Sequence, residues 1–204
     1  MSCRPYLSRC PVVPVLTIER VEDAVPLARA LAAGGLKVLE VTLRTPAALE
    51  AITRIAAEVP EAILAAGTVL TSDDLERSAK AGARFAFSPG LADFMLEPHA
   101  IPILPGVATA SEIMKGLQAG LDTFKFFPAV PAGGVGALKG FSGPFAGVAF
   151  CPTGGIGAAN ARDFLALPNV LCVGGSWVAP GEAVAAGDWG KIEGLAREAA
   201  GLRG

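Results

Sequence analysis

Apolar and polar positions along the chain follow one repeating pattern. Apolar, often β-branched runs of four or five residues alternate with longer Ala- and Leu-rich segments whose apolar positions recur at helical spacing. The runs predict strands at Val12–Leu16, Val38–Thr42, Ala62–Ala66, Arg84–Phe87, Ile101–Leu104, Thr123–Phe127, Val148–Pro152 and Val170–Gly174. Their starts lie 17 to 26 residues apart, room for a strand, a helix and two short loops. The intervening segments predict helices near 20–34, 46–58, 71–81, 91–97, 109–119, 134–141 and 157–167, with a last one near 182–200.

Local signals support several of these boundaries. Thr71-Ser72-Asp73-Asp74 supplies a cap and acidic residues for a first helical turn, where the helix dipole favours them. Thr109-x-x-Glu112 reads as a capping box. Gly34-Gly35 and Gly82 stand where helices should stop. Eight strands alternating with eight helices predict a parallel sheet covered by helices, which suits strands that are apolar on both faces. The count of eight and the near-regular spacing point to α/β architecture in the form of a closed (β/α)8 barrel, one domain over 1–204. An open doubly wound sheet is the alternative, but Val15-Leu16-Thr17-Ile18-Glu19 carries no glycine where a dinucleotide-binding loop would need three.

Composition narrows the function classes. Of the 204 residues, 52% are apolar and 18% charged, which excludes a disordered chain. A net charge of -2 gives no electrostatic reason to expect a nucleic acid or an acidic membrane surface as partner. The long stretch from Phe141 to Ala161 is free of Asp, Glu, Lys and Arg, but it contains Pro144, Pro152 and five glycines and is no bilayer helix. The apolar excess instead points to a buried sheet and an oligomer interface. One histidine, His99, serves the whole chain, which removes His-rich metal sites and makes any Ser-His-Asp triad depend on a single residue. Cys3, Cys10, Cys151 and Cys172 form no C-x-x-C pair. With no basic head and apolar run at the start, reduced thiols in a cytoplasmic protein are expected.

In a barrel the chemistry sits at the carboxyl ends of the strands, and few polar residues are predicted there. Lys125 lies inside Thr123-Phe124-Lys125-Phe126-Phe127-Pro128, whereas the other five lysines fall on helices, loops or a strand start. Alternation puts Thr123, Lys125 and Phe127 on one face, and Phe124 and Phe126 on the other. If those phenylalanines pack under helices, Lys125 points into the barrel mouth, where it could present an amine nucleophile to a carbonyl. A snorkelling lysine or a structural ion pair is the alternative. Glu40 is the only carboxylate predicted in a strand, and shares parity with Val38, Thr42 and Arg44. It could meet Lys125 across the mouth as a general acid/base, or simply as a buried salt bridge. Arg44 offers a fork for a substrate carboxylate. Thr153-Gly154-Gly155-Ile156-Gly157 and Gly174-Gly175-Ser176 follow the last two predicted strands, where barrels place phosphate sites. An amine, an acid/base, a carboxylate clamp and a phosphate cradle together suggest Schiff-base chemistry on a phosphorylated keto acid.

At these residues the sequence resembles the 2-keto-3-deoxy-6-phosphogluconate (KDPG) aldolase / 4-hydroxy-2-oxoglutarate aldolase family. The resemblance runs from about Val13 to Pro180. It rests on Gly35-Leu36-Lys37-Val38-Leu39-Glu40-Val41-Thr42-Leu43-Arg44 and on Gly120-Leu121-Asp122-Thr123-Phe124-Lys125-Phe126-Phe127-Pro128-Ala129, continuing to Gly133. Ala66-Gly67-Thr68-Val69-Leu70, Phe87-Ser88-Pro89-Gly90, Cys151-Pro152-Thr153-Gly154-Gly155 and Gly174-Gly175-Ser176-Trp177 also fit. The resemblance implies a class I lyase needing no metal or other cofactor, on a (β/α)8 barrel that assembles as a homotrimer. It implies that Lys125 forms the Schiff base and that Glu40 shuttles protons through a water. Arg44 and Thr68 would hold the pyruvate carboxylate, and Gly154, Gly155 and Ser176 the phosphate. Pro89, Phe127 and Thr153 would shape the pocket. The expected reaction is cleavage of KDPG to pyruvate and glyceraldehyde 3-phosphate. Cleavage of 4-hydroxy-2-oxoglutarate, or of the galactonate epimer of KDPG, is the nearest alternative. Val130-Pro131-Ala132 departs from the family pattern in being more apolar, which bears on substrate preference.

Overall fold

Among residues 2–203, which the computed structural model describes, nine short strands run parallel to their neighbours. They are β1 (Val12–Leu16), β2 (Val38–Thr42), β3 (Ile63–Gly67), β4 (Phe85–Phe87), β5 (Ile103–Leu104), β6 (Gly106–Val107), β7 (Thr123–Phe126), β8 (Ala149–Pro152) and β9 (Val173–Gly175). Six form a sheet in the order β5-β4-β3-β2-β1-β9, and three form a second in the order β6-β7-β8. Single bridges, Phe150 to Val170 and Thr153 to Gly174, tie the edge of the second sheet to the β9 edge of the first. The architecture is α/β, with parallel strands in curled sheets.

The opposite seam explains a difference from the sequence reading. The strand predicted at Ile101–Leu104 is only the two residues of β5, and a further short strand outside those bounds, β6, follows across Pro105. The Leu104 carbonyl accepts from the Ser88 amide at 3.1 Å, toward β4, and the Pro105 carbonyl accepts from the Lys125 amide at 2.9 Å, toward β7. Proline donates no amide to either ladder, so the chain changes sheets there.

Helices α1 (Arg4–Leu7), α2 (Ala24–Ala33), α3 (Ala48–Glu58), α4 (Ser72–Lys80), α5 (Ala110–Gln118), α6 (Gly134–Ser142), α7 (Ala161–Leu165), α8 (Gly181–Ala186) and α9 (Trp189–Ala200) accompany the strands. Both capping boxes are present, at Thr71 with Asp74 and at Thr109 with Glu112. The segment expected to be helical at 91–97 holds only a 3-10 turn, Asp93–Leu96. The one long helix expected near 182–200 is two. Gly187, at φ 66, ends α8 in the left-handed conformation, and the Asp188 side chain caps α9 by accepting from the Lys191 amide. The helix expected at 157–167 shrinks to α7, because the Asn160 side chain accepts from the Gly157 amide at 2.9 Å and holds a turn there.

Two aromatic layers sandwich the strand that carries Lys125. On one face, Phe126, Phe141 and Phe150 lie with ring centroids 6.0–6.4 Å apart, and Phe124 is buried against Gly116 of α5. Burying a phenylalanine contributes about 1.5–3 kcal/mol, so Phe124 and Phe126 anchor their face of β7 under helices. Alternation then sends Thr123 and Lys125 inward. Inside, a column rises from the amino ends of the strands: Tyr6 of α1 stacks on Phe85 at 4.9 Å, and Phe85 meets Phe87 at 5.2 Å. The α1 helix, which the hydrophobic pattern did not announce, therefore closes the amino-terminal end of this interior. No helix among the described residues is long and apolar enough to cross a membrane.

Candidate active site

At the top of the aromatic column Lys125 Nζ stands 5.1 Å from the centre of the Phe87 ring and 5.5 Å from that of Phe127. Both rings present apolar surface with a weakly attractive face to a cation. Lys125 donates to Glu40 Oε1 at 2.9 Å, and the two side chains are only 5% and 1% exposed. Such a pair is expensive to bury and poor at stabilising a fold, which calls for a reason to keep it. The other carboxylate oxygen, Glu40 Oε2, is buried with no partner. Buried acceptors are normally satisfied, so this oxygen is open to a hydrogen bond from a water or a substrate group.

Arg44 and Thr68 come together as the sequence led one to expect. Arg44 Nε donates to Thr68 Oγ1 at 3.0 Å, which orients the guanidinium through one of its five N–H groups. Thr68 has φ 59, the only positive value at a non-glycine among the described residues. A β-branched residue is strained there, and the strain is confined to the step after β3 that meets Arg44.

The glycine segment after β8 is built for close approach. Gly154 and Gly155 have φ of 106 and 75, which other residues adopt at a cost. The Val130 amide donates to the Gly154 carbonyl at 3.0 Å, and Asn160 Nδ2 donates to the Gly155 carbonyl at 3.1 Å. The loop is therefore pinned on two sides. Thr153 is buried beside it, bridged to Gly174, with its Oγ1 unpartnered. Ser176 follows β9 and is exposed. Pro89 lies beside the β6 start, where its carbonyl packs against Gly106.

Glu40 is the middle residue of β2, and the other residues singled out from the sequence lie near or just beyond the carboxyl ends of their strands; three pairings join them: Lys125 with Glu40, Arg44 with Thr68, and Thr153 with the strand that leads to Ser176. Two contributors were missed. Phe87 was readable from parity, since Phe85 and Phe87 share a face of a three-residue strand. Asn160 lay inside a segment taken as helix, and its role depends on a turn that periodicity does not report. All four cysteines are free and buried. No cluster of three or more His, Cys, Asp or Glu suited to a metal ion occurs among the described residues.

A lysine amine hydrogen-bonded to a carboxylate in an apolar mouth is the equipment of a lyase that works on carbonyl compounds through an imine. Comparison with known proteins supports that class. The model of the KDPG and KHG aldolase family matches residues 4–195. The KHG/KDPG aldolase of Escherichia coli K12 is 55% identical over 201 residues, covering 97% of this chain and 94% of its own. The 2-dehydro-3-deoxy-phosphogluconate aldolase of Dickeya dadantii is 53% identical over the same shares of both chains. Among solved structures, the KDPG aldolase of Legionella pneumophila superposes with a TM-score of 0.96 at 47% identity, covering 98% of each chain. In that crystal pyruvate was captured as a covalent carbinolamine intermediate. The chain belongs to the KDPG and KHG aldolase family.

Proposed function

We propose that this protein is a class I aldolase that cleaves 2-keto-3-deoxy-6-phosphogluconate to pyruvate and glyceraldehyde 3-phosphate. The buried 2.9 Å contact of Lys125 Nζ with Glu40 Oε1 carries the reading. Transfer of the shared proton to Glu40 leaves a lone pair on Nζ, which attacks the C2 ketone. The carbinolamine hydroxyl takes that proton back from Glu40 and leaves as water, which gives an iminium ion and returns Glu40 to the carboxylate. Glu40, through a water, takes the proton from the C4 hydroxyl as the C3–C4 bond breaks, and the bonding electrons flow into the iminium. Glyceraldehyde 3-phosphate departs, the enamine is protonated at C3, and water releases pyruvate and the free amine.

The remaining residues take supporting roles in this scheme. Arg44, already oriented through Nε, offers its terminal N–H groups to the pyruvate carboxylate, with Thr68 beside it. Gly154, Gly155 and Ser176 receive the phosphate, and Pro89, Phe127 and Thr153 bound the pocket. None of these steps needs a metal or another cofactor.

The site faces the mouth of a closed (β/α)8 barrel in this reading, with β5 and β6 counting as one strand bent at Pro105, and the chain works as one domain. The assembly is a cytoplasmic homotrimer. Exposed Met114 (54%) and Leu117 (40%), neighbours on α5, support an apolar contact between copies.

The family model covers a second activity, so the experiment compares substrates. In EDTA-treated buffer, kcat/KM for KDPG is expected to exceed that for 4-hydroxy-2-oxoglutarate. Ser176→Asp is expected to lower the former at least tenfold, about 1.4 kcal/mol, with little effect on the latter. The reverse preference would make the phosphate-free keto acid the substrate, and activity lost in EDTA but restored by a divalent metal would contradict the scheme.

A further inference from the structure

We propose that Gly67 is a positioning residue for Glu40: the missing side chain at 67 is the slot that holds the carboxylate against Lys125. The inference rests on the aldolase reading of that pair.

The geometry is close and one-sided. A Cβ placed on Gly67 would stand 2.3 Å from Glu40 Oε1, 2.7 Å from Cγ and 2.9 Å from Cδ. All three lie far inside van der Waals contact, and Oε1 is the oxygen that accepts from Lys125. The carboxylate therefore occupies the volume that any other residue at 67 would fill. Among the protein's own groups, the Lys125 hydrogen bond and the wall at Gly67 position the head group, since Oε2 accepts from no side chain or amide.

The backbone at 67 needs no glycine for itself, since its φ lies outside the left-handed region. Its place in the ladder is firm: Gly67 pairs with Thr42, and its carbonyl accepts from the Leu43 amide at 2.8 Å. An added methyl cannot retreat without breaking the β2–β3 register. The Glu40 side chain must move instead. The strained step at Thr68 follows at once and meets Arg44, so two adjacent residues at the end of β3 set both the acid/base and the carboxylate clamp.

The test uses the full-length protein with Gly67→Ala, Glu40→Gln and, as a control for the same chemical change, Gly140→Ala, which points into open space. Two readouts separate the steps: borohydride trapping of pyruvate reports imine formation, and exchange of pyruvate methyl protons for deuterium reports proton transfer at C3. Gly67→Ala is expected to be trapped to full yield at saturating pyruvate, more slowly than the unaltered protein because Glu40 also takes the proton from Lys125. Its methyl exchange and kcat are expected to fall about 100-fold or more, the range of a lost acid/base, with KM changed less than about threefold. Combining Gly67→Ala with Glu40→Gln should cost no more than Glu40→Gln alone.

Wild-type exchange in Gly67→Ala would overturn the proposal, as would an adduct yield that stays at zero in folded Gly67→Ala however long it is incubated with saturating pyruvate. If Gly67→Ala is too unstable to assay, Glu40→Ala in the same chain makes room for the methyl and should restore the melting temperature toward that of Glu40→Ala alone. Failure of that rescue would also overturn it. Failure of the aldolase reading would look different, because the unaltered protein would then neither trap nor exchange.

Discussion

Single residues decide whether the interior is reactive or inert. Lys125 and four cysteines are all buried, yet their surroundings differ. Lys125 lies between two aromatic rings with one carboxylate for company. Burial pushes the Cys3 and Cys10 thiols up to about 12. Cys172 is also raised, by its hydrogen bond to Cys151 at 3.4 Å and by burial. These thiols are packing groups and not nucleophiles at neutral pH. They carry a pH signature. The unfolded chain releases their protons near the ordinary value of 9.0, whereas the folded chain holds them to about 12. A raised folded value leaves stability intact below 9.0 and erodes it as pH climbs toward 12. The urea midpoint is expected to drop between about pH 8.5 and pH 10.5, and Cys10→Ala is expected to flatten that drop. An unchanged slope in that variant would assign the alkaline loss to other groups.

At the scale of elements, periodicity located what repeats and missed what interrupts. The strands Val12–Leu16 and Val38–Thr42 stand where the apolar runs put them, because a strand covered on both faces leaves a continuous apolar record. Thr71 and Thr109 marked their helix starts because a capping box is written in residues three apart. The departures each have a local cause that apolar spacing does not encode. Pro105 separates β5 from β6, which lie in two sheets, Gly187 divides the last helix, and Asn160 holds a turn ahead of α7. The site was legible for the same reason the strands were. Parity placed Lys125 and Glu40 on inward faces, and the two phenylalanines flanking Lys125 fixed which face that was. What parity could not supply was the wall behind Glu40. Gly67 reads as one small residue in Ala65-Ala66-Gly67, and its significance is a distance, 2.3 Å, between chain segments 27 residues apart.

The whole molecule joins a dry aromatic interior, closed below by Tyr6 of α1, to a polar rim fed by the carboxyl ends of the strands. Under the function proposed above, this division would let one buried amine meet a carbonyl while the charged groups of the substrate stay at the rim. The homotrimer proposed above is expected to sediment at three times the 20.6 kDa chain mass, and a single-chain species would contradict it. The central claim concerns one bond between one nitrogen and one carbon. It is tested most directly by incubating the protein with pyruvate and borohydride, measuring intact mass and mapping the modified peptide. One reduced pyruvyl adduct per chain is expected, on Lys125 and absent in Lys125→Ala. A folded protein that acquires no adduct in excess pyruvate, or one modified equally at other lysines, would contradict the account.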